Sequence, residues 1–160
     1  MKLFKSRTTK RKLTRVAKRK FCLPKKRPAV GMLQIHGKTY RVGTSKIEQQ
    51  WLDLLQVKDR QKVIYGFNGK VLVVDGIDTK NRVIYEMLGG HVHGSHKVYK
   101  TNRDQKTWLG KTPNEMYYET VARFNFLRQL NWKILFVWDY DFKVKKSFGR
   151  FYKGPGDSLY

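Results

Sequence analysis

No acidic residue precedes Glu48, and this one-sided distribution of charge limits where the chain can build a folded domain. The segment before Glu48 carries 16 of the 35 Lys and Arg residues. Its like charges repel one another, and the first 28 residues contain little apolar surface to bury, so they cannot fold alone. We therefore predict a basic arm, disordered or extended, over residues 1–28 and a folded domain after it.

The basic arm has the charge needed to bind nucleic acid. A polycationic segment neutralises phosphates and gains affinity from the release of counterions. The formal net charge of the chain is +23, and the excess of bases continues beyond the arm. A solvated tail or a localisation signal is the alternative interpretation. The residues that we predict to contact nucleic acid are Lys10, Arg11, Lys12, Arg15, Lys18, Arg19, Lys20, Lys25, Lys26 and Arg27.

The composition argues against a secreted or membrane-spanning protein. The single cysteine, Cys22, excludes an internal disulfide framework and fits a reducing compartment. The longest apolar run, residues 134–138, has the length of a buried strand rather than that of a membrane span. The basic N-terminus lacks the apolar stretch of a signal peptide. We therefore expect an intracellular protein with no membrane contact.

The apolar pattern predicts an α/β fold in which a mixed central sheet is flanked by helices. We expect a small β-hairpin over 29–43, an α/β domain over 44–148 and an irregular tail over 149–160. Within the domain, Ser45 and Glu48 have the spacing of a capping box and begin a predicted helix at 45–57. The further elements that we predict are strands at 63–67, 71–75, 83–88 and 132–138, and a second helix at 113–130.

Two acids lie in apolar strands, where a charge is unexpected. If the turn between these strands is centred on Lys80 and Asn81, Asp75 lies opposite Glu86. Opposed carboxylates repel, and a buried charge is costly unless it is paired. A bound divalent cation would offset both the repulsion between the carboxylates and the cost of burying their charge. Alternatively, each acid pairs with a Lys or Arg, and a turn shifted by one residue would place the two acids on opposite faces.

Three histidines, His91, His93 and His96, lie close together in a polar, glycine-containing loop over 89–110. Three histidines can hold a catalytic zinc ion, but no cysteine or second motif supports that interpretation. We favour one histidine acting as a general acid or base beside a metal site. They can also be ordinary loop histidines that touch phosphate.

Several short motifs, taken in order, resemble the PD-(D/E)XK nucleases, and in particular the very-short-patch-repair-like endonuclease domains of large DNA viruses and phages. The similarity covers roughly residues 44–143. The motifs that carry it are Ser45 to Leu52, Val73-Val74-Asp75-Gly76, Ile84-Tyr85-Glu86-Met87-Leu88-Gly89, His93-Gly94, Tyr118-Glu119-Thr120 and Trp138-Asp139.

The resemblance implies a restriction-endonuclease-like core and a Mg²⁺- or Mn²⁺-dependent endonuclease that cleaves double-stranded DNA. It assigns the metal to Asp75 and Glu86, with Glu48 as a possible helper, and it lets His93 handle a proton or polarise the phosphate. The partners it implies are DNA and virion proteins, either in a host cell or packaged in a virion. Glu48 has a competing role as a helix cap, and Glu119 can pair with Arg123 one turn away.

The sequence departs from the family pattern at three positions. Leu88 replaces the usual catalytic lysine, Gly90 stands where the family usually has Asp, and Val92 stands in place of Trp. These departures favour an alternative function: a catalytically inactive nuclease fold that serves as a structural, DNA-associated or minor capsid component of a viral particle. The composition also permits an RNA-binding protein, although the chain lacks the flanked aromatic strand of RNA-recognition domains.

Overall fold

The structure, a computed structural model, describes residues 31–35, 38–67 and 70–160. The predicted arm over 1–28, with its ten candidate nucleic-acid contacts, lies outside the described residues. The strands are β1 (Gly31–Ile35), β2 (Lys38–Val42), β3 (Asp59–Phe67), β4 (Lys70–Asp78), β5 (Val83–Leu88), β6 (Lys133–Trp138) and β7 (Arg150–Phe151). The helices are α1 (Lys46–Leu54), α2 (Pro113–Gln129) and α3 (Asp139–Lys145).

The described part of the chain forms an α/β fold with a mixed sheet of five strands, which is the predicted class. The strand order is β3-β4-β5-β6-β7, and β5 and β6 are the parallel pair. A parallel pair needs a crossover connection, and α2 lies in that connection. Strands β1 and β2 pair separately as an antiparallel hairpin, in the segment where the sequence predicts one.

Helices α1 and α2 begin where the sequence predicts, because both starts carry a capping box. The Ser45 side chain accepts a hydrogen bond from the amide of Glu48, and the Glu48 carboxylate accepts one from the amide of Ser45. Thr112 and Glu115 form the same arrangement ahead of α2, with Pro113 in its first turn. A capping box satisfies amides that have no partner inside the helix, so each start is fixed locally.

The sheet buries an apolar cluster on each face. The cluster on the α2 side includes Val74, Ile84, Leu88, Phe124 and Leu127, and the cluster on the α1 and α3 side includes Trp51, Leu52, Met87, Val137 and Phe142. Two leucines near the helix ends, Leu54 and Leu130, are exposed. Leu54 is the last residue of α1, and Leu130 directly follows the last residue of α2.

The C-terminal segment is part of the core rather than an irregular tail alone. The edge strand β7 lies beyond the predicted domain boundary at 148 and pairs with β6. Leu159 is fully buried in the α2-side cluster, and its carbonyl accepts a hydrogen bond from the Trp138 indole. Tyr152 is buried in the same cluster, with its hydroxyl 2.7 Å from Asn125 Oδ1.

None of the helices in the described part of the chain is long and apolar enough to cross a membrane.

We predict that Leu159→Ala lowers the free energy of unfolding by about 2–5 kcal/mol, since a fully buried leucine leaves a cavity when truncated. Denaturant titration followed by circular dichroism measures this change. The matched control is Leu54→Ala, whose side chain is 46 % exposed and whose truncation should change stability far less. Equal losses in the two variants would show that the C-terminal segment does not contribute to the core.

Candidate functional site

Strands β4 and β5 pair in the predicted register and stop pairing at the two acids. The paired residues are Gly76 with Tyr85, Ile77 with Ile84 and Asp78 with Val83, which centres the turn on Lys80 and Asn81. Beyond Gly76 the strands separate, and the Asp75 side chain enters the gap. Its Oδ2 accepts a hydrogen bond of 2.7 Å from the amide of Met87.

The opposite side of β4 is irregular at the same position. The register of β3 against β4 passes from Arg60–Gly76 to Lys62–Val74 and skips Gln61 and Asp75. Gln61 has a φ of +51°, in the left-handed region that residues other than glycine rarely adopt. The break frees Gln61, whose side-chain amide donates to Glu48 Oε1 at 2.7 Å.

Three carboxylates, from α1, β4 and β5, form one electrostatic group. Burial, opposed by the charge of Arg123 and assisted by the charges of Asp75 and Glu48, raises the pKa of Glu86 to about 8. Burial and the charge of Asp75 raise the pKa of Glu48 to about 7. Burial raises the pKa of Asp75 to about 6, although the Met87 amide opposes the shift. The structure thus brings together the three acids that the sequence singled out.

Arg123 of α2 is the cation beside these acids. Its Nη2 donates to Glu86 Oε1 at 2.5 Å and to the carbonyl of Val73 at 2.7 Å. Its Nε is buried, with no hydrogen-bond partner among the described residues. The suggested pairing of Arg123 with Glu119 is wrong, because Glu119 pairs with Lys111 instead. Glu86 is buried, so it needs a neutralising partner more than the exposed Glu119 does, and the Arg123 guanidinium pairs with it.

Glu48 forms the helix cap that was considered for it and also lies near the other two acids. It closes the capping box of α1, and its carboxylate also lies near Asp75 and accepts from Gln61. Because its two oxygens already accept hydrogen bonds from Ser45 and Gln61, Glu48 has less capacity for a metal ion than the other two acids. Its charge also raises the pKa of Glu86.

His93 is neutral at physiological pH, and its hydrogen bonds define its tautomer. Its Nδ1 lies 2.9 Å from Thr120 Oγ1, which itself donates its only proton to the carbonyl of Met116. The hydroxyl must therefore accept from Nδ1–H, which leaves the lone pair on Nε2. Burial, then the charge of Arg123, lowers the pKa of His93 to about 4, against the effect of Asp139.

The other two loop histidines have separate partners, so the histidines do not form a zinc site. The His91 ring packs edge-on against Tyr99, with centroids 5.9 Å apart. The His96 ring lies between Tyr117 and Tyr160, at 5.3 and 4.3 Å. Within residues 31–35, 38–67 and 70–160, no three His, Cys, Asp or Glu side chains are arranged to hold a metal ion.

Two of the positions that depart from the family motif, Leu88 and Gly90, are constrained by packing and hydrogen bonding. Leu88 is fully buried in the α2-side cluster, so its side chain serves packing. Gly90 donates its amide to Asp139 Oδ1 at 3.1 Å. A Cβ at Gly90 would lie 2.6 Å from Val98 Cγ2 and 3.4 Å from the Tyr140 ring. A side chain at position 90 therefore requires the Val98 side chain or the loop to shift.

Asp75 and Glu86 fit a divalent cation by their donor chemistry. Each has one carboxylate oxygen in a hydrogen bond, to Met87 and Arg123 respectively, and a second oxygen that accepts none within the described residues. Mg²⁺ is commonly held by one or two carboxylates together with water and substrate oxygens. Arg123 is the competing cation, because it neutralises part of the same charge.

Two residues near the site, Arg123 and Asp139, were not predicted as site residues. The sequence contains only weak indications of a role for either. Arg123 lies on the buried stripe of α2 with Met116, Thr120 and Leu127, where a charge needs a buried partner. Asp139 directly follows the buried strand β6, and its carboxylate binds the Gly90 amide and Lys143. Sequence alone could flag both as misplaced charges but could not identify their partners.

Comparison of the chain with protein-family models, with characterised proteins and with solved structures gives no significant match.

We predict that Glu86→Gln weakens the fall in stability with rising pH. With a folded pKa of about 8, the native state holds a proton on Glu86 that the unfolded chain releases near pH 4.5, so Glu86 destabilises the fold progressively between those values. The measurement is the free energy of unfolding from chemical denaturation in EDTA. Relative to wild type, this free energy should rise in the variant by about 2 kcal/mol or more between pH 5 and pH 8. His93 is present in both proteins, so its opposite pH dependence cancels.

The control for this prediction is Glu119→Gln, which removes an exposed acid and should leave the wild-type pH profile unchanged. Parallel profiles for wild type and Glu86→Gln would contradict the raised pKa.

Proposed function

We propose that this chain is a metal-dependent nuclease of the PD-(D/E)XK type that hydrolyses phosphodiester bonds in DNA. The observation that carries the proposal is the convergence of Glu48, Asp75 and Glu86 where β4 and β5 separate. The ordered sequence motifs point independently to the same acids. Duplex DNA is the substrate that the resemblance implies.

The acids support a functional interpretation because their arrangement opposes folding. Three neighbouring carboxylates with raised pKa values destabilise the native state at neutral pH. Arg123 contacts Glu86 and lowers the pKa of Asp75, yet burial still dominates the pKa of both groups. Ionisable groups with strongly perturbed pKa values are typical of functional sites. A cation requirement accounts for an acidic cluster that packing does not need.

In this proposal Asp75 and Glu86 hold Mg²⁺ or Mn²⁺. The bound cation would supply positive charge to the scissile phosphate and make water a better nucleophile. Neutral His93, with the lone pair on Nε2, can take a proton from an attacking water or accept a hydrogen bond from it. Glu48 would add negative charge beside Asp75. Arg123 would be available to contact a phosphate oxygen once the cation neutralises Glu86.

A second candidate function is a catalytically inactive scaffold. The observation that favours it is the 2.5 Å ion pair between Arg123 and Glu86, which already gives that carboxylate a cation. Leu88, packed in the core, offers no cationic side chain to the reaction. In this case the chain would bind DNA through its basic segments as a structural or minor capsid component of a viral particle.

Cleavage of supercoiled plasmid in Mg²⁺ or Mn²⁺ separates the two candidates. We expect wild type to nick or linearise the plasmid, EDTA to abolish the activity, and Glu86→Gln to lower the rate by roughly 100-fold or more, since a metal ligand is lost. Glu119→Gln, the same chemical change at an exposed acid, should retain activity. If wild type does not cleave with any divalent cation, the scaffold function is correct.

Deleting residues 1–28 should weaken DNA binding and reduce its salt dependence, because the lost bases no longer release counterions. The measurement is the slope of log affinity against log salt concentration, compared between the full chain and residues 29–160. An unchanged slope would assign the arm to another role, such as contact with protein.

A further inference from the structure

The loop that follows β5 forms a cleft whose lining does not include Glu48, Asp75 or Glu86. The cleft has a volume of about 490 Å³, within the ~300–1,000 Å³ range of small-molecule pockets. Its aromatic and cationic lining residues are His91, Tyr99, Lys100, Lys106 and Trp108. Most of the remaining lining residues are uncharged and polar, and none is acidic.

Trp108 is the unusual member of this lining, because its side chain is 79 % exposed. The turn that carries it is held firmly: the amide and hydroxyl of Thr107 both donate to the Lys111 carbonyl, at 2.8 and 2.9 Å. The Gly110 amide donates back to Thr107 at 2.9 Å. The backbone thus presents an indole to solvent on a fixed support, and that lowers the ordering cost of binding.

Arg103 braces the loop behind the cleft. Its guanidinium donates to Asn114 Oδ1 at 2.8 Å, to the Gly94 carbonyl at 3.2 Å and to the Tyr99 carbonyl at 3.3 Å. These bonds connect the loop to the first turn of α2. Tyr99 is fixed further by its hydroxyl, which donates to the His91 carbonyl at 3.0 Å.

The charge of the cleft suits an anionic ligand. Neither Lys100 nor Lys106 forms an ion pair with another described residue, whereas the nearby Lys97 and Lys111 are paired with Asp141 and Glu119. Unpaired lysines beside exposed aromatic rings are the combination that binds single-stranded nucleic acid, with bases stacked on the rings and phosphates near the cations.

We propose that this cleft binds an unstacked nucleobase of single-stranded or locally opened nucleic acid. Trp108 provides the stacking surface, and Lys100 and Lys106 contact the adjoining phosphates. His91 lines the cleft, and His93, two residues on, lies near the Arg123 that contacts Glu86, so one loop borders both. The proposal adds a form of substrate to the proposed nuclease, but base binding in the cleft does not require cleavage.

The test compares two fluorescently labelled probes of equal length and charge, a 12-nucleotide oligothymidylate and the same backbone with every base replaced by an abasic site. Counterion release by the basic segments is common to both probes, so the affinity ratio reports base contacts alone. Binding is measured with the full chain in EDTA, which separates it from any metal-dependent cleavage. The variants are Trp108→Ala and Phe148→Ala, the second an exposed aromatic outside the cleft.

We expect wild type and Phe148→Ala to bind the base-containing probe about tenfold more tightly than the abasic probe, and Trp108→Ala to lose most of that preference. Because Trp108 is largely exposed, its substitution should leave the circular dichroism spectrum unchanged. A wild-type protein without the preference, or a Trp108→Ala variant that keeps it, would overturn the proposal. If base preference persists in a protein that never cleaves, the cleft proposal stands and the nuclease proposal fails.

Discussion

The buried ion pair between Glu86 and Arg123 is the interaction on which the centre of this structure depends. Glu86 lies on β5 with 2 % of its surface exposed, and Arg123 reaches it from α2 while also bonding the carbonyl of Val73 on β4. One guanidinium therefore ties the helix to two strands at the point where those strands separate. Removing Arg123 would leave the buried Glu86 carboxylate without a compensating cation, which is strongly destabilising.

Much of the fold follows from local chemistry that the sequence displays. The capping boxes at Ser45 and Thr112 fix both helix starts, and the turn at Lys80 and Asn81 sets the register of β4 against β5. The orientation of Asp75 was less predictable, because Val74 and Ile77 share one core cluster although strict alternation would separate them. The partner of Arg123 and the buried position of Leu159 depend on long-range packing, which periodicity does not encode.

The proposed function combines three parts of the chain with different physical roles. In this proposal the basic arm supplies sequence-independent affinity, the cleft at Trp108 recognises an unstacked base, and the acids on α1, β4 and β5 bind the cation for hydrolysis. Under this proposal Arg123 would compete with the cation for Glu86 and so influence whether the site is active. The burial of Leu88 and the close packing around Gly90 favour the inactive alternative.

The most direct test of the acidic site is Mn²⁺ binding, followed by electron paramagnetic resonance on metal-free protein without DNA. Asp75→Asn keeps an oxygen for the Met87 amide but removes the charge, so it should fold as wild type does. The cation-site proposal predicts one bound ion per wild-type chain, loss of that ion in Asp75→Asn, and its retention in Glu119→Gln. Absence of bound Mn²⁺ in wild type, or equal binding by Asp75→Asn, would contradict the proposal.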